Sequence, residues 1–222
     1  QVTQSNDEAC QFADAIVLAV KPQMMGDMLG TLQENNDFAG KLFLSIAAGL
    51  PVSRLQEMLG GEYPVVRVMP NTPSLIGKGM TGLYADDTVS SADRDYADDV
   101  MKAVGETVWV EQEDGINGVI AAAGSSPAYF FLFLQAMQEE AISMGFDDKT
   151  AREMVQQAML GAAEMVCHNP DIELSELRAQ VTSKGGTTAA AVNTLLDEGL
   201  KETVSKAMRA AVSRAEEMAK QL

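Results

Sequence analysis

Asp14-Ala15-Ile16-Val17-Leu18-Ala19-Val20-Lys21-Pro22 is a short apolar run that stops abruptly at a charge and a proline ring. A run of this length bounded by such residues reads as a buried strand, because proline cannot donate to a central ladder and readily opens a helix instead. Helix-compatible apolar spacing follows over Pro22–Leu32, and the same alternation then repeats. Leu42–Ile46 reads as a second strand, Val52–Leu59 as a helix and Val65–Met69 as a third strand, with Thr107–Val110 as the last. A short helical segment capped by Ser5 or Asn6 precedes the first strand. Strands alternating with helical patterns predict a parallel α/β sheet.

From Gly115 onward only helical patterns remain, over Gly118–Met144, Lys149–Val166, Ile172–Val181, Thr188–Leu196 and Lys201–Leu222. The acidic connector Glu111–Asp114 marks the change, so the predicted division is residues 1–112 and residues 113–222. The fold class is therefore α/β plus all-α, an incomplete Rossmann-like parallel sheet followed by a helical domain. Val119–Met137 is the most apolar stretch, but Gly124-Ser125-Ser126-Pro127 interrupts it, which argues for a buried helix over a membrane span. Pro127–Met137 is apolar nearly all round and needs burial on every side. A small helical domain rarely supplies that alone, which predicts an obligate dimer whose helices pack across the interface.

The chain of 222 residues is 46% hydrophobic, enough for a proper core. Its net charge of −16 arises from 32 acidic against 16 basic residues and is spread over both halves. Such acidity suits a solvated surface and invites neither nucleic acid nor an anionic membrane. Cys10 and Cys167 lie far apart, outside disulfide or zinc-ligand spacing, which fits a reducing cytoplasm. His168 has no second histidine, so it reads as a helix-end residue without catalytic duty.

In an open α/β sheet, ligands bind outside the carboxyl ends of the strands. Three successive strands end in Ala19-Val20-Lys21-Pro22, Ala47-Ala48-Gly49 and Met69-Pro70-Asn71-Thr72-Pro73. Small residues let a flat ring or sugar approach the backbone, Lys21 offers charge to a phosphate, and Asn71 can bridge two groups through its amide. Each piece alone is also a good strand terminator or turn. Together they outline a nucleotide site. No Gly-x-Gly-x-x-Gly joins the first strand to the helix that follows it, and the first residue is not methionine. The expectation is that at least one βαβ unit, about 30 residues, lies upstream.

A second anion seat is expected at Val181-Thr182-Ser183-Lys184-Gly185-Gly186-Thr187-Thr188. Lys184 precedes the glycines, which excludes a P-loop. The plain alternative is a Gly-rich helix connector with Thr187 or Thr188 as N-cap. Against it stands the density of donors, suited to a carboxylate at a helix start. Gly124-Ser125-Ser126-Pro127-Ala128-Tyr129 is similar in kind, with Ser125 or Ser126 as cap and Pro127 early in a helix.

The ordered series Ala-Val-Lys-Pro, Ala-Ala-Gly, Val-Met-Pro-Asn-Thr-Pro, Gly-Ser-Ser-Pro-Ala-Tyr and Val-Thr-Ser-Lys-Gly-Gly-Thr-Thr closely resembles pyrroline-5-carboxylate reductase, from about Ser5 to the C-terminus. The resemblance implies reduction of 1-pyrroline-5-carboxylate to L-proline with NADPH or NADH, the last step of proline synthesis. It implies a Rossmann domain, an interlocked helical dimerisation domain, a homodimer and in many members a decamer. Carried over by position, Asn6, Ala19, Lys21, Pro22, Ala47 and Asn71 would line the dinucleotide. Ser183, Gly186, Thr187 and Thr188 would hold the substrate carboxylate and imine nitrogen, with Thr188 as the catalytic hydroxyl. Lys184 stands where many members have proline, and Ser126 where glycine is common. Two other readings are weighed beside this one: a non-catalytic helical dimer that binds the ligand without redox chemistry, and another dehydrogenase with a helical second domain.

Overall fold

The computed structural model describes residues 2–221. Helix α1 (Asn6–Phe12) is capped by Ser5, whose hydroxyl accepts the Glu8 N–H at 3.3 Å. Asn6 is therefore the first helical residue, and the cap is Ser5. Strands β1 (Ala15–Leu18), β2 (Leu42–Ser45) and β3 (Val65–Met69) pair in parallel, connected by helices α2 (Pro22–Asn35) and α3 (Val52–Leu59). Pro22 opens α2, where its missing N–H costs nothing.

The parallel expectation holds for these three strands and fails at the next. Strand β4 (Gly79–Ala85), which the sequence pattern does not reveal, runs antiparallel to β3 with Met69 opposite Gly82. The link from Met69 to Gly79 holds only a 3₁₀ turn, Thr72–Ile76, and is too short for a crossover back to the same end of the sheet. Helix α4 (Ser91–Lys102), also unforeseen, then carries the chain over to β5 (Gly105–Trp109), parallel to β4. The sheet is thus mixed, in the order β1-β2-β3-β4-β5.

Burial follows the two-residue period of strands. Phe43 and Val65 face one cluster with Leu18, Met25, Leu29, Phe38 and Leu55, where Phe38 meets Phe43 and Tyr63 edge to face at 5.3 and 5.6 Å. Leu42, Leu44, Val66 and Val68 face the other, with Leu83, Ala85 and Ala97. All four residues of β2 are buried, as a central strand covered on both faces requires.

Past β5 come α5 (Gly115–Val119), a widened turn at Ile120–Gly124, and α6 (Ser126–Ser143). These are followed by α7 (Asp148–His168), α8 (Leu174–Gln180), α9 (Thr187–Asp197) and α10 (Leu200–Gln221). The strand-to-helix change falls at the acidic connector. By packing, the chain divides into Gln1–Pro127 with Met208–Leu222, and Ala128–Ala207. In the second unit α7 is capped by Asp147, whose carboxylate accepts the Thr150 N–H at 3.0 Å. No residue of α6 is buried within the single chain, and Phe130, Phe131 and Leu132 are 59, 63 and 68% exposed. An apolar face that large needs cover from outside the chain.

Glycine hid β4 from the sequence pattern, and one glycine there has a packing reason. A Cβ on Gly82 would lie 2.6–3.0 Å from all three branch-point and methyl carbons of Val119. No rotamer of Val119 escapes such a contact, because its Cβ is among them. Gly82→Ala should therefore destabilise the chain by roughly 1–3 kcal/mol, read as a lower urea midpoint with an unchanged slope.

Candidate functional site

The carboxyl ends of β1, β2 and β3 lie side by side, since Leu18 pairs with Ser45 and Ser45 with Arg67. Immediately past them stand Ala19, Ala47 and Asn71. Asn6, Cys10, Ala19 and Val20 share the wall of one cavity of about 290 Å³ along β1. Cys10 in that wall is buried, and that burial pushes its thiol up against the smaller opposing pull of Lys41. Lys21 sits at the cap position of α2 without capping it, is exposed, and pairs with no described carboxylate. Ala47 is 8% exposed, and its N–H reaches the Ser45 hydroxyl at 3.4 Å. Gly49 follows at φ +82°, a conformation that side chains other than glycine's rarely adopt.

A second cavity on the same edge, about 220 Å³, is lined by Ala48, Gly49, Met69, Ile120, Ser125 and Arg214, with further residues of α10. The sequence reading placed no site residue on α10. Nothing in the pattern separates Arg214 from other helix-surface arginines, and only the fold brings it here. Its guanidinium also holds Glu217 at 2.9 Å.

The side-chain amide of Asn71 has protein partners at both ends. Its Oδ1 accepts the Met80 N–H at 2.9 Å, and its Nδ2 donates to the Ala123 carbonyl at 3.0 Å. The bridging role expected of Asn71 is thus filled by backbone groups of β4 and of the turn before α6.

Beneath this edge lies a charge pair the sequence did not signal. Arg67, on β3 and only 8% exposed, donates through Nη1 to Oε1 of Glu113 at 2.9 Å. The same oxygen accepts the Val52 N–H at 2.7 Å, at the first residue of α3. Glu113 belongs to the connector between β5 and α5, so one carboxylate ties connector, sheet and helix start together. Tyr84 pairs with Arg67 across β3 and β4; burial, then the carboxylates of Glu113, Asp86 and Asp87, push its phenol up and keep it neutral.

In the other unit, Ser183–Gly186 forms a tight turn closed by the Gly186 N–H on the Ser183 carbonyl at 3.0 Å, with Gly185 at φ +76°. A Cβ on Gly186 would fall 2.5 Å from the Ser183 hydroxyl. The N-cap of α9 is Gly186, with no side-chain capping bond, which corrects the expectation of Thr187 or Thr188. The reason is the turn, which already directs the backbone into the helix at Gly186. The first helical bond runs from the Ala190 N–H to the Gly186 carbonyl at 3.1 Å, so the N–H groups of Thr187, Thr188 and Ala189 precede the helical ladder. Both threonine side chains are exposed. The Ser126 hydroxyl donates to the Ala123 carbonyl at 3.2 Å, and the Tyr129 hydroxyl is buried without a partner. His168 ends α7, its Nδ1 2.8 Å from the Glu164 carbonyl.

Comparison with known proteins agrees with this geometry. Residues 113–218 match the family described as pyrroline-5-carboxylate reductase dimerisation. Residues 1–49 match the family described as NADP oxidoreductase, coenzyme F420-dependent. The chain is 58% identical to the pyrroline-5-carboxylate reductase of Vibrio alginolyticus over 99% of its length and 80% of that protein's. Against the enzyme of the same name from Haemophilus influenzae it is 52% identical, over 93% of this chain and 76% of the relative. Among solved structures, the pyrroline-5-carboxylate reductase of Coxiella burnetii superposes with a TM-score of 0.91 at 39% identity, covering 98% of this chain and 80% of that one. A Plasmodium falciparum pyrroline carboxylate reductase with NADP bound gives 0.88 at 32% identity, covering 98% and 81%.

The Arg67–Glu113 pair generates a stability prediction. Glu113→Ala leaves a buried guanidinium and the Val52 N–H without their shared acceptor, and should cost roughly 2–3 kcal/mol. Glu113→Gln keeps an acceptor oxygen and should cost less, and urea unfolding of both variants ranks them.

Proposed function

Because the chain belongs to the pyrroline-5-carboxylate reductase family, we propose how its own residues divide the work of reducing 1-pyrroline-5-carboxylate to L-proline. The observation that carries the reading is that one unit has a strand-end edge of small residues and the other has a donor-rich helix start. Residues 1–112 serve the dinucleotide, and residues 113–222 serve the substrate and self-association.

The strand ends fit a dinucleotide. Ala19 and Ala47 present little bulk at the carboxyl ends of β1 and β2, and the cavity beside Asn6 and Ala19 is open along β1. Asn6, Ala19, Lys21, Pro22 and Ala47 make up this edge, with Asn71 past β3 adding backbone only, since its amide is taken by the Met80 N–H and the Ala123 carbonyl. Lys21, unpaired among the described carboxylates, supplies positive charge for a phosphate in a chain of net charge −16. Bound NADPH or NADH supplies the hydride.

Ser183, Gly186, Thr187 and Thr188 receive the substrate. The backbone N–H groups ahead of the Ala190–Gly186 bond hold the carboxylate, helped by the positive end of α9. The nitrogen enters already protonated and donates its N–H to the Thr188 hydroxyl, which keeps the C=N bond oriented while hydride adds to the carbon and leaves the neutral secondary amine. No histidine is asked to move a proton. The apolar surface of α6, exposed in a single chain, is covered by a second copy, in line with the dimerisation family that residues 113–218 match. We extend this to decamers built from such dimers, and to the cytoplasm as the working compartment, on the strength of two cysteines outside disulfide spacing.

The activity is tested by following NADPH and NADH oxidation with 1-pyrroline-5-carboxylate and with open-chain keto acids as controls. Oxidation should depend on the cyclic imine. Thr188→Ala should lower kcat by about 10–100-fold, the worth of one hydrogen bond to a charged or developing charge, while circular dichroism and the urea midpoint stay near those of the unaltered chain. Unchanged turnover in that variant removes Thr188 from the mechanism.

A further inference from the structure

Pro127 creates a problem that Asn71 solves. In a regular α-helix the Ala123 carbonyl would accept the N–H of residue 127, and proline has none. The chain responds by widening the turn: the Ser125 N–H bonds the Ile120 carbonyl five residues back at 2.8 Å. Such widened turns are uncommon and concentrate at functional sites. The orphaned Ala123 carbonyl then receives two side-chain donors, Nδ2 of Asn71 at 3.0 Å and the hydroxyl of Ser126 at 3.2 Å.

The other end of the same amide holds the Met80 N–H at 2.9 Å, at the second residue of β4. Asn71 itself follows Pro70 past the end of β3, and its own carbonyl accepts the Ser74 N–H at 3.1 Å, closing the 3₁₀ turn. One side chain therefore joins three backbone segments: the end of β3, the start of β4 and the widened turn. The two motifs Met69-Pro70-Asn71-Thr72-Pro73 and Gly124-Ser125-Ser126-Pro127 are one device, in which the proline of the second frees the carbonyl that the asparagine of the first takes up.

We propose that Asn71 is a positioning residue for hydride transfer, acting through this clamp with its amide turned to the protein. It fixes the strand-end backbone on the dinucleotide edge against the backbone from which the chain leaves the sheet unit for α6. This role rests on the reductase reading above. A residue that contacted the cofactor through its amide would govern cofactor affinity. A clamp governs turnover, because it sets where the strand-end backbone stands and leaves the number of contacts to the cofactor unchanged.

The test is a mutant cycle of Asn71→Ala and Pro127→Ala in the full chain. Asn71→Ala should speed hydrogen exchange of the Met80 amide about tenfold and lower kcat by about tenfold, with the NADPH dissociation constant within about threefold of its original value. Adding Pro127→Ala returns an N–H to the Ala123 carbonyl, so the double variant should recover about threefold in kcat over Asn71→Ala alone, and the urea midpoints should be non-additive in the same sense. Two results overturn the clamp: a rise in NADPH dissociation constant that matches the loss in kcat, or effects of the two substitutions that simply add in both kcat and urea midpoint. An unaltered chain that oxidises no NADPH with 1-pyrroline-5-carboxylate counts against the reductase reading. Met80 exchange and the urea cycle then still decide the clamp.

Discussion

A guanidinium placed in the middle of a sheet must be neutralised, and that requirement organises the first unit. Arg67 is buried on β3, between the parallel strand β2 and the antiparallel strand β4. Its partner comes 46 residues later in sequence, from the connector that follows β5. Because Glu113 also accepts the first N–H of α3, the pairing anchors the connector to the sheet and to the helix that begins beside Ala47-Ala48-Gly49. A buried ion pair of this kind adds little net stability, since desolvation consumes most of the Coulombic gain, but it fixes geometry. Here it fixes where the helical half of the chain starts.

The device just beyond that start works by a neutral version of the same logic. Proline removes a donor, the turn widens, and a side-chain amide from a distant strand end takes the released carbonyl. Two residues unremarkable alone thereby become dependent on each other. The start of α9 shows the opposite condition: the N–H groups of Thr187, Thr188 and Ala189 precede the helical ladder, behind the Ser183–Gly186 turn.

Strands β1 to β3 and their helices were legible because buried parallel strands are short continuous apolar runs between helical periods. Strand β4 was not, because Gly79 and Gly82 dilute its pattern, and Gly82 is there to admit Val119. Helix α4 escaped for another reason: SADRDYADDVMK buries only Ala97 and shows no apolar stripe wide enough to count. The cap of α9 was expected one or two residues too late because the turn at Gly185 decides the helix start, and side-chain propensity does not. For the candidate site, the strand-end motifs and the Ser183–Thr188 segment could be read directly. Arg214, Arg67 and Glu113 could not, since their significance lies in partners remote in sequence.

By itself the sequence determined the alternation of strands and helices, the apolar surface that calls for a second copy, and the ordered motifs that mark the family. These are local properties, carried by periodicity and by residues a few positions apart. The tertiary structure decided the direction of β4, the pairing of Arg67 with Glu113, and the joining of Asn71 to Ala123 across 52 residues. Each of these depends on which buried polar group finds a partner once the chain is compact. Desolvation makes that choice, and it acts only in the folded state.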